Sequence, residues 1–371
     1  MKRVSLANLV PGMVTAEDIF TYNNQLIVAK NTPLTDKIIT RLEFYSIMSV
    51  RIHDEPAQGP AAQTPSDAGS QPEKGADNQS LTYSEQIQNS PQFKEFKANF
   101  EQSIDELRGS INDIVEKGAP IDVKASLEQT TRVFNKSNGN FSFFSMLHHM
   151  RQYDDLTYAH MMNVSLICRI LAQWLHFSED DVEMATLCGL FHDIGKLAIP
   201  DEIIKKPDKL TNEEYKVVKT HTVQGYNILL KQNVNDHIKL SALMHHERCD
   251  GGGYPLGVKA DKIDKFAKIV AIADVYDAMT AARVYRGPLC PFTVIEIFEK
   301  EGLQRYETEY ILCFLENVVL TYIKNRVRLS DGREGDIVMV NKNAFSKPLV
   351  KVGEEFVDLQ KEKGLSIVEI L

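Results

Sequence analysis

The sequence predicts a mainly α-helical protein: a helical bundle with a small N-terminal α+β unit and a small C-terminal β unit. Three observations favour this fold class. Apolar residues recur at three- and four-residue spacing through most of residues 83–328, which is typical of packed helices. Residues 1–54 read as short strands with a turn, followed by a helix from about Thr35 to Tyr45. An Asp-Gly turn between two β-like runs, in RVRLSDGREGDIVMV, marks a hairpin after the helical region.

The order of these patterns predicts four segments. Residues 1–54 form the N-terminal α+β unit, and residues 55–82 form a flexible linker. The linker is rich in Pro, Gly, Ala and Ser and has almost no apolar residue to bury. Residues 83–328 form the helical domain, and residues 329–371 form the C-terminal β unit.

Composition narrows the class of protein. The chain has 371 residues, 43% of them hydrophobic, and a formal charge of −9, which argues against nucleic acid polymers and anionic membranes as partners. Any anionic substrate must then be held by a local device, such as metal ions or a few arginines. Five cysteines without a C-x-x-C motif indicate neither a disulfide framework nor a thiolate zinc site. The N-terminus lacks a signal-peptide pattern, so we expect a cytoplasmic protein.

Three stretches of the helical region place histidine or aspartate residues inside or directly beside apolar sequence. FHDIGK places His192 and Asp193 directly after an apolar run, LMHHERCDGGGYP places His245 and His246 before a glycine-rich turn, and AIADVYDAM places Asp274 inside an apolar helix. A carboxylate in such a setting is costly unless it is paired or bound to metal. Imidazole and carboxylate ligands suit divalent first-row metals. Two such ions, ~3.5–4 Å apart, can hold a hydroxide that attacks a phosphoester. The sequence therefore predicts metal-assisted phosphoester hydrolysis.

The order of these motifs resembles the HD-GYP subfamily of HD-domain phosphohydrolases. The resemblance runs from a histidine at 160 through H-D-x-G-K at 192–196, a histidine at 221, H-H-E at 245–247, G-Y-P at 253–255 and an aspartate at 274. It covers about residues 145–290 strongly and the helices to about 325 loosely. It implies an HD-type bundle and a metal-dependent phosphodiesterase for the bacterial signal cyclic di-GMP.

The resemblance also implies a ligand set for two divalent ions, iron, manganese or similar. The matching residues are His192, Asp193, His221, His245, His246 and Asp274, with Asp193 as the bridge between the ions. His160 matches a further ligand position. Family members with a third metal carry a glutamate four residues before that histidine, where this chain has Leu156. This departure favours two ions rather than three. The role of His160 stays open: it could be a direct ligand, a residue that supports a ligand, or a substrate contact.

The resemblance assigns substrate contacts as well. Lys196 would contact the scissile phosphate and join His192 and Asp193 in catalysis, while Arg283 and Arg286 would grip the phosphates. The alternative is that these three cations are solvated surface charges. Gly253, Tyr254 and Pro255 would form a lip of the site and a docking surface for signalling domains. A loop that merely needs glycine freedom is the simpler interpretation.

The expected reaction is attack of a metal-bridged hydroxide on cyclic di-GMP, giving pGpG, GMP or both. Two alternatives stay open: a catalytically inactive cyclic di-GMP receptor, and a phosphodiesterase for another cyclic dinucleotide such as 3′,3′-cGAMP. The sequence does not separate guanine from adenine at the base pockets. It also leaves open whether the chain forms a homodimer.

Overall fold

The structure is a computed structural model. It describes residues 2–5, 9–20, 26–35, 38–39, 41–42, 47, 49–53, 83–134, 140–150, 156–204, 206, 210–281 and 289–371. Of the residues in these ranges, the side chains at 5, 26, 83, 84, 140–142, 148, 149 and 156 are not described. The predicted linker, residues 55–82, lies outside the described residues. The chain divides into two compact units, Met1–Thr82 and Tyr83–Leu371.

The first unit contains two short antiparallel strand pairs. Strand β1 (Lys2–Ser5) pairs with β4 (Ser49–Ile52), and β2 (Ile19–Phe20) pairs with β3 (Leu26–Val28). The unit has an apolar core of its own, which includes Leu9, Leu34, Leu42, Val50 and Ile52. This core is made of aliphatic side chains from the strands and from the segments between them.

The second unit begins with helices and ends with a sheet. Its helices are α1 (Tyr83–Asn89), α2 (Pro91–Lys117), α3 (Val123–Phe134), α4 (Asn140–Met150), α5 (Leu156–Trp174), α6 (Glu179–Phe191), α7 (Asp201–Ile204), α8 (Asn212–Lys219), α9 (His221–Leu230), α10 (Asp236–Met244), α11 (Lys265–Thr280), α12 (Pro291–Ile297), α13 (Leu303–Arg305) and α14 (Thr308–Leu320). A 3₁₀ helix at Ile194–Ala198 follows α6, and a π-helical turn at Phe298–Gly302 follows α12.

Helix α2 shows how local sequence sets the bounds of these helices. Ser90 accepts a hydrogen bond from the backbone N–H of Phe93, and proline occupies the first helical position. Gly118 ends the helix in the left-handed conformation, with φ of 67°. Between these caps, Phe96, Phe100 and the other apolar residues of the predicted spacing are buried.

Helices α5, α6 and α11 form the centre of the bundle and are buried on most of their surface. Close approach between backbones positions two of the elements that carry site residues. A Cβ on Gly189 of α6 would lie 2.8 Å from Cα of Ser165 on α5. A Cβ on Gly195 would lie 1.9 Å from the carbonyl oxygen of His221 and 2.4 Å from the backbone nitrogen of Gly225. Glycine is therefore needed where the 3₁₀ helix crosses α9.

The C-terminal sheet is antiparallel with the strand order β8-β7-β6-β5-β9. Its strands are β5 (Arg326–Leu329), β6 (Glu334–Met339), β7 (Leu349–Val352), β8 (Glu355–Asp358) and β9 (Ile367–Ile370). The Asp-Gly turn joins β5 to β6, and Gly332 there has a φ of 89°. The Glu299 carboxylate accepts backbone hydrogen bonds from Phe345 and Ser346, which fastens the sheet to the helices. The predicted fold class is confirmed.

None of the helices in the described ranges combines the length and apolar character that a membrane crossing requires.

Candidate metal centre

Six elements bring the predicted ligand residues into one cluster. His160 lies on α5, His192 directly follows α6, and Asp193 precedes the 3₁₀ helix. His221 opens α9, His245 and His246 follow α10, and Asp274 lies in the middle of α11. Three overlapping groups have donor atoms within 4.8 Å of one another: His221 with His245 and His246, His160 with His192 and Asp274, and His192 with Asp193 and His245.

Asp193 lies at the centre of this cluster, and its side chain is only 1% exposed. Its Oδ1 atom is 3.3 Å from Nε2 of His221 and 3.7 Å from Nε2 of His245. Its Oδ2 atom is 3.2 Å from Nε2 of His192 and 3.4 Å from Nε2 of His160. Each carboxylate oxygen therefore faces its own pair of imidazole nitrogens.

Asp274 joins the outer imidazoles. Its Oδ1 atom is 3.1 Å from Nε2 of His160, and its Oδ2 atom is 3.7 Å from Nδ1 of His246. A second carboxylate thus lies between imidazoles from two other segments of the chain. The cluster contains five imidazoles and two carboxylates from the predicted ligand set.

Backbone carbonyl groups orient three of the imidazole rings. Nδ1 of His192 donates to the carbonyl of Gly189 at 2.7 Å, and Nδ1 of His221 donates to that of Val218 at 2.7 Å. Nδ1 of His245 donates to the carbonyl of Ser241 at 3.0 Å. Because Nδ1 donates in each of these bonds, Nε2 of each ring is directed into the cluster.

A carboxylate, rather than a backbone carbonyl, orients the His160 ring. Nδ1 of His160 bonds to Oδ2 of Asp277 at 2.7 Å, and Nδ2 of Asn163 donates to the other Asp277 oxygen at 3.1 Å. The structure buries Asp277 to 1% exposure, so this carboxylate is held inside the bundle beside the cluster. Asn163 was missed, although it lies three residues after His160 on the same helix.

The donor set fits a divalent cation. His192 Nε2 and Oδ1 of Asp193 are buried, yet within the described residues neither has a partner in hydrogen-bond geometry. Buried polar atoms are normally hydrogen-bonded, so atoms left this way at close range to one another favour a cation between them. Imidazole nitrogens with carboxylate oxygens suit divalent first-row metals. The cluster could therefore hold divalent metal.

Lys196 lies at the edge of the cluster. Its ammonium group forms an ion pair with Oδ2 of Asp193, and its side chain remains 25% exposed. A cation placed here can reach an anion that approaches Asp193 from solvent.

Burial and neighbouring charges shift the pKa values of the clustered histidines in opposite directions. Burial lowers the pKa of His221, His245 and His246, reinforced for His245 by the neighbouring His192, so that the pKa of His245 falls to about 3. For His160, burial also acts downward, but bonds to the surrounding aspartates outweigh it and raise the pKa well above its ordinary value.

The two carboxylates stay ionised. Burial alone would raise the pKa of Asp193, but the charges of His192 and Lys196 hold that pKa well below its usual range. Burial likewise opposes ionisation of Asp274, but the hydrogen bond from His160 and the neighbouring imidazoles together outweigh it and keep that pKa well below its usual range. Three neutral imidazoles and two anionic carboxylates are the protonation states that metal binding requires.

These pKa shifts predict that metal-free protein loses stability between pH 6.5 and pH 5. The unfolded chain protonates His221, His245 and His246 near pH 6.5, whereas the folded chain resists their protonation. Protonation therefore favours unfolding as the pH falls, by up to about 1.4 kcal/mol per pH unit for each histidine. The raised pKa of His160 and the lowered pKa values of the aspartates act outside this interval.

Urea unfolding in the presence of a chelator, at pH 6.5, 6.0, 5.5 and 5.0, measures this effect. The free energy of unfolding should fall steadily across the series. A free energy that stays level or rises on acidification would contradict the assigned protonation states.

The predicted lip, Gly253 to Pro255, lies against the segment that carries His245 and His246. A Cβ on Gly253 would lie 2.4 Å from Cα of Glu247. The Tyr254 ring stacks on the His246 ring with centroids 4.6 Å apart, while Pro255 is exposed. Glycine at 253 therefore serves close backbone approach, and Tyr254 packs on a predicted ligand.

Glu247 anchors the far side of this lip. Its buried carboxylate accepts backbone hydrogen bonds from Leu256 at 2.6 Å and from Gly257 and Val258 at 3.2 Å each. The sequence showed Glu247 only as part of the H-H-E motif. Its role as an acceptor for three N–H groups ten residues along the chain could not be inferred from that motif.

Arg283 and Arg286, the predicted phosphate-gripping residues, lie outside the described residues. The same holds for the Leu156, His148 and His149 side chains.

A family model described as the HD domain matches residues 143–309. A cyclic di-GMP phosphodiesterase of Pseudomonas aeruginosa is 35% identical over 205 residues, covering 55% of this chain and 49% of that protein. A cyclic di-GMP phosphodiesterase of Thermotoga maritima is 35% identical over 196 residues, covering 51% of this chain and 53% of that protein.

A third relative is named for a different substrate. It is a 3′3′-cGAMP-specific phosphodiesterase of Vibrio cholerae, 39% identical over 145 residues, covering 39% of this chain and 34% of that protein. The chain spans about half the length of the first two relatives. The segment that is similar to the HD-domain model contains all the histidines and aspartates of the cluster and the G-Y-P segment.

Proposed function

We propose that this protein is a metal-dependent phosphodiesterase that hydrolyses cyclic di-GMP to pGpG, GMP or both. One observation carries the proposal: the buried Asp193 carboxylate presents each of its oxygens to a separate pair of imidazole nitrogens. A carboxylate between two such pairs suits a bridge between two cations. The relatives named for cyclic dinucleotides support the substrate class.

In this proposal seven residues hold two divalent ions, iron, manganese or similar: His160, His192, Asp193, His221, His245, His246 and Asp274. His160 belongs to the set because its Nε2 atom faces both aspartates. When bound, the ions lower the pKa of water and neutralise charge on the phosphate.

The other residues of the chain bind and orient. The Lys196 ammonium, already beside Asp193, would contact the scissile phosphate and offset the charge that develops on it. Asp277 and Asn163 would hold the His160 ring in a fixed orientation. Arg283 and Arg286 stay predictions as phosphate contacts. Docking of a signalling domain on the G-Y-P lip also stays a prediction.

Chromatography of reactions between the manganese- or iron-loaded protein and cyclic di-GMP tests the proposal. We expect pGpG or GMP from the wild type and neither from the His192→Ala and Asp193→Ala variants. If the protein binds cyclic di-GMP but does not hydrolyse it with any of several metals, the proposed function changes from an enzyme to a receptor. The complete ligand set speaks against that alternative.

A parallel reaction with 3′,3′-cGAMP decides between the two substrate classes. Three relatives of 34–39% identity carry that specificity in their names, so the comparison is needed. A kcat/KM for 3′,3′-cGAMP higher than that for cyclic di-GMP would move the proposal to the hybrid dinucleotide.

Replacing Asp277 with asparagine should weaken metal binding by about tenfold to a hundredfold. The substitution removes the negative charge behind His160 and so reduces the basicity and fixed orientation of its ring. Equilibrium titration of the metal-free variant with Mn²⁺ measures the change. The exposed Asp261→Asn substitution is the matched control. Equal Mn²⁺ affinity in the two variants would show that Asp277 does not contribute to metal binding.

A further inference from the structure

Lys219 lies beside the site but belongs to no group assigned above. It is the last residue of α8, two residues before His221. Its Nζ atom lies 4.5 Å from the ring centroid of Tyr254 and 5.4 Å from that of Tyr215. The Tyr254 ring in turn stacks on His246. The chain of contacts thus runs from the ammonium group through one aromatic ring to a predicted metal ligand.

The charge of Lys219 is not balanced by a carboxylate. Lys196, Lys206 and Lys268, which are also partly buried, form ion pairs with Asp193, Glu214 and Glu307. Among the carboxylates that the structure describes, none forms an ion pair with Lys219, although this side chain is half-buried. Two ring faces offset only part of the cost of desolvating an ammonium group. This favours an anion supplied from outside the chain.

The proposed substrate offers such an anion. A cyclic dinucleotide carries two phosphodiester groups, and one of them must lie at Asp193 and Lys196 to be cleaved. The second phosphate needs a cation elsewhere on the rim, because the protein as a whole is negatively charged at −9. Lys219 is placed on the side of the cluster formed by His246 and the lip, rather than on the Lys196 side.

We infer that Lys219 binds the phosphate of the cyclic dinucleotide that is not being cleaved, and so distinguishes two-phosphate substrates from simple phosphodiesters. This inference rests on the proposed phosphodiesterase function. A purely structural role for Lys219 makes a different prediction: it would support Tyr254 against His246, and its loss would lower metal content.

The test uses Lys219→Met, which keeps much of the apolar stem and removes the charge. Lys216→Met, an exposed lysine of the same helix, is the matched control. Each full-length protein is loaded with Mn²⁺, and its metal content is measured. Steady-state kinetics then compare cyclic di-GMP with bis(p-nitrophenyl) phosphate, which carries a single phosphodiester.

We expect Lys219→Met to raise the KM for cyclic di-GMP by about tenfold over Lys216→Met, the loss typical of one charge-assisted hydrogen bond. The ratio of kcat/KM for cyclic di-GMP to that for bis(p-nitrophenyl) phosphate should fall by a similar factor. Lys219→Arg should restore most of the affinity, because the positive charge is retained.

Two results would overturn the inference while leaving the phosphodiesterase intact. One is a KM for cyclic di-GMP equal to that of the control. The other is an equal loss with both substrates accompanied by loss of metal, which would make Lys219 structural. If the wild type cleaves bis(p-nitrophenyl) phosphate but no cyclic dinucleotide, the proposed substrate itself fails, and the inference about Lys219 fails with it.

Discussion

Replacing Asp193 with asparagine is expected to lower turnover of cyclic di-GMP by at least about a thousandfold and to remove most of the bound metal. The buried carboxylate supplies the negative charge between two pairs of imidazole nitrogens. Asparagine keeps the size of the side chain but loses that charge, and its amide group cannot replace a carboxylate facing both pairs. Metal content per chain and the rate of product formation measure the two effects.

Asp236→Asn is the matched control for this substitution, because the Asp236 side chain is 84% exposed and forms an ion pair with Lys239, one turn along the same helix. The control should retain metal and turnover. Circular dichroism of both variants separates loss of metal from loss of fold. Asp193→Asn protein that keeps its metal and more than about a tenth of its turnover would contradict the central position given to this carboxylate.

Replacing Gly195 with alanine is expected to destabilise the protein by about 3 kcal/mol or more. The added Cβ would lie 1.9 Å from the carbonyl oxygen of His221 and 2.4 Å from the backbone nitrogen of Gly225. Both neighbours are backbone atoms, so relief requires α9 to move away from the 3₁₀ helix. Because His221 opens α9, the displacement should also weaken metal binding.

Gly109→Ala is expected to have the opposite effect on the free energy of unfolding. Gly109 lies inside α2, and no described atom outside its own stretch of helix backbone lies within 4 Å of the position that its Cβ would take. Alanine there should stabilise the helix by about 0.5–1 kcal/mol. Urea unfolding of both variants in a chelator isolates the packing effect from metal. If the urea midpoint of Gly195→Ala equals that of the wild type, the contact between the 3₁₀ helix and α9 can relax to accommodate a Cβ, and the expected loss of stability is wrong.

The sequence predicted the members of the cluster better than it predicted their supports. His192 with Asp193, His245 with His246, and Asp274 stood out because polar pairs and a carboxylate interrupt apolar helices. The predicted residues that the structure describes lie together, and the resemblance supplied their order. Local patterns were also sufficient for the hairpin of the C-terminal sheet, where turn chemistry requires a glycine.

The supporting contacts depend on tertiary packing. Asp277 bonds to His160 across 117 residues of chain, and neither residue carries a local signal for the other. In the sequence, Asn163 is an ordinary polar residue. Its contact with Asp277 arises only because α5 packs against α11. The requirement for glycine at 195 comes from a helix crossing, and crossings are set by packing that one sequence does not display.

Titration of the metal-free protein with Mn²⁺, with bound metal and cyclic di-GMP turnover measured on the same samples, tests the central claim most directly. The proposed site predicts that binding approaches two ions per chain, that turnover rises with occupancy, and that Asp193→Asn loses both. Turnover without bound metal, or equal metal binding and turnover in wild type and Asp193→Asn, would contradict a catalytic metal centre built on Asp193.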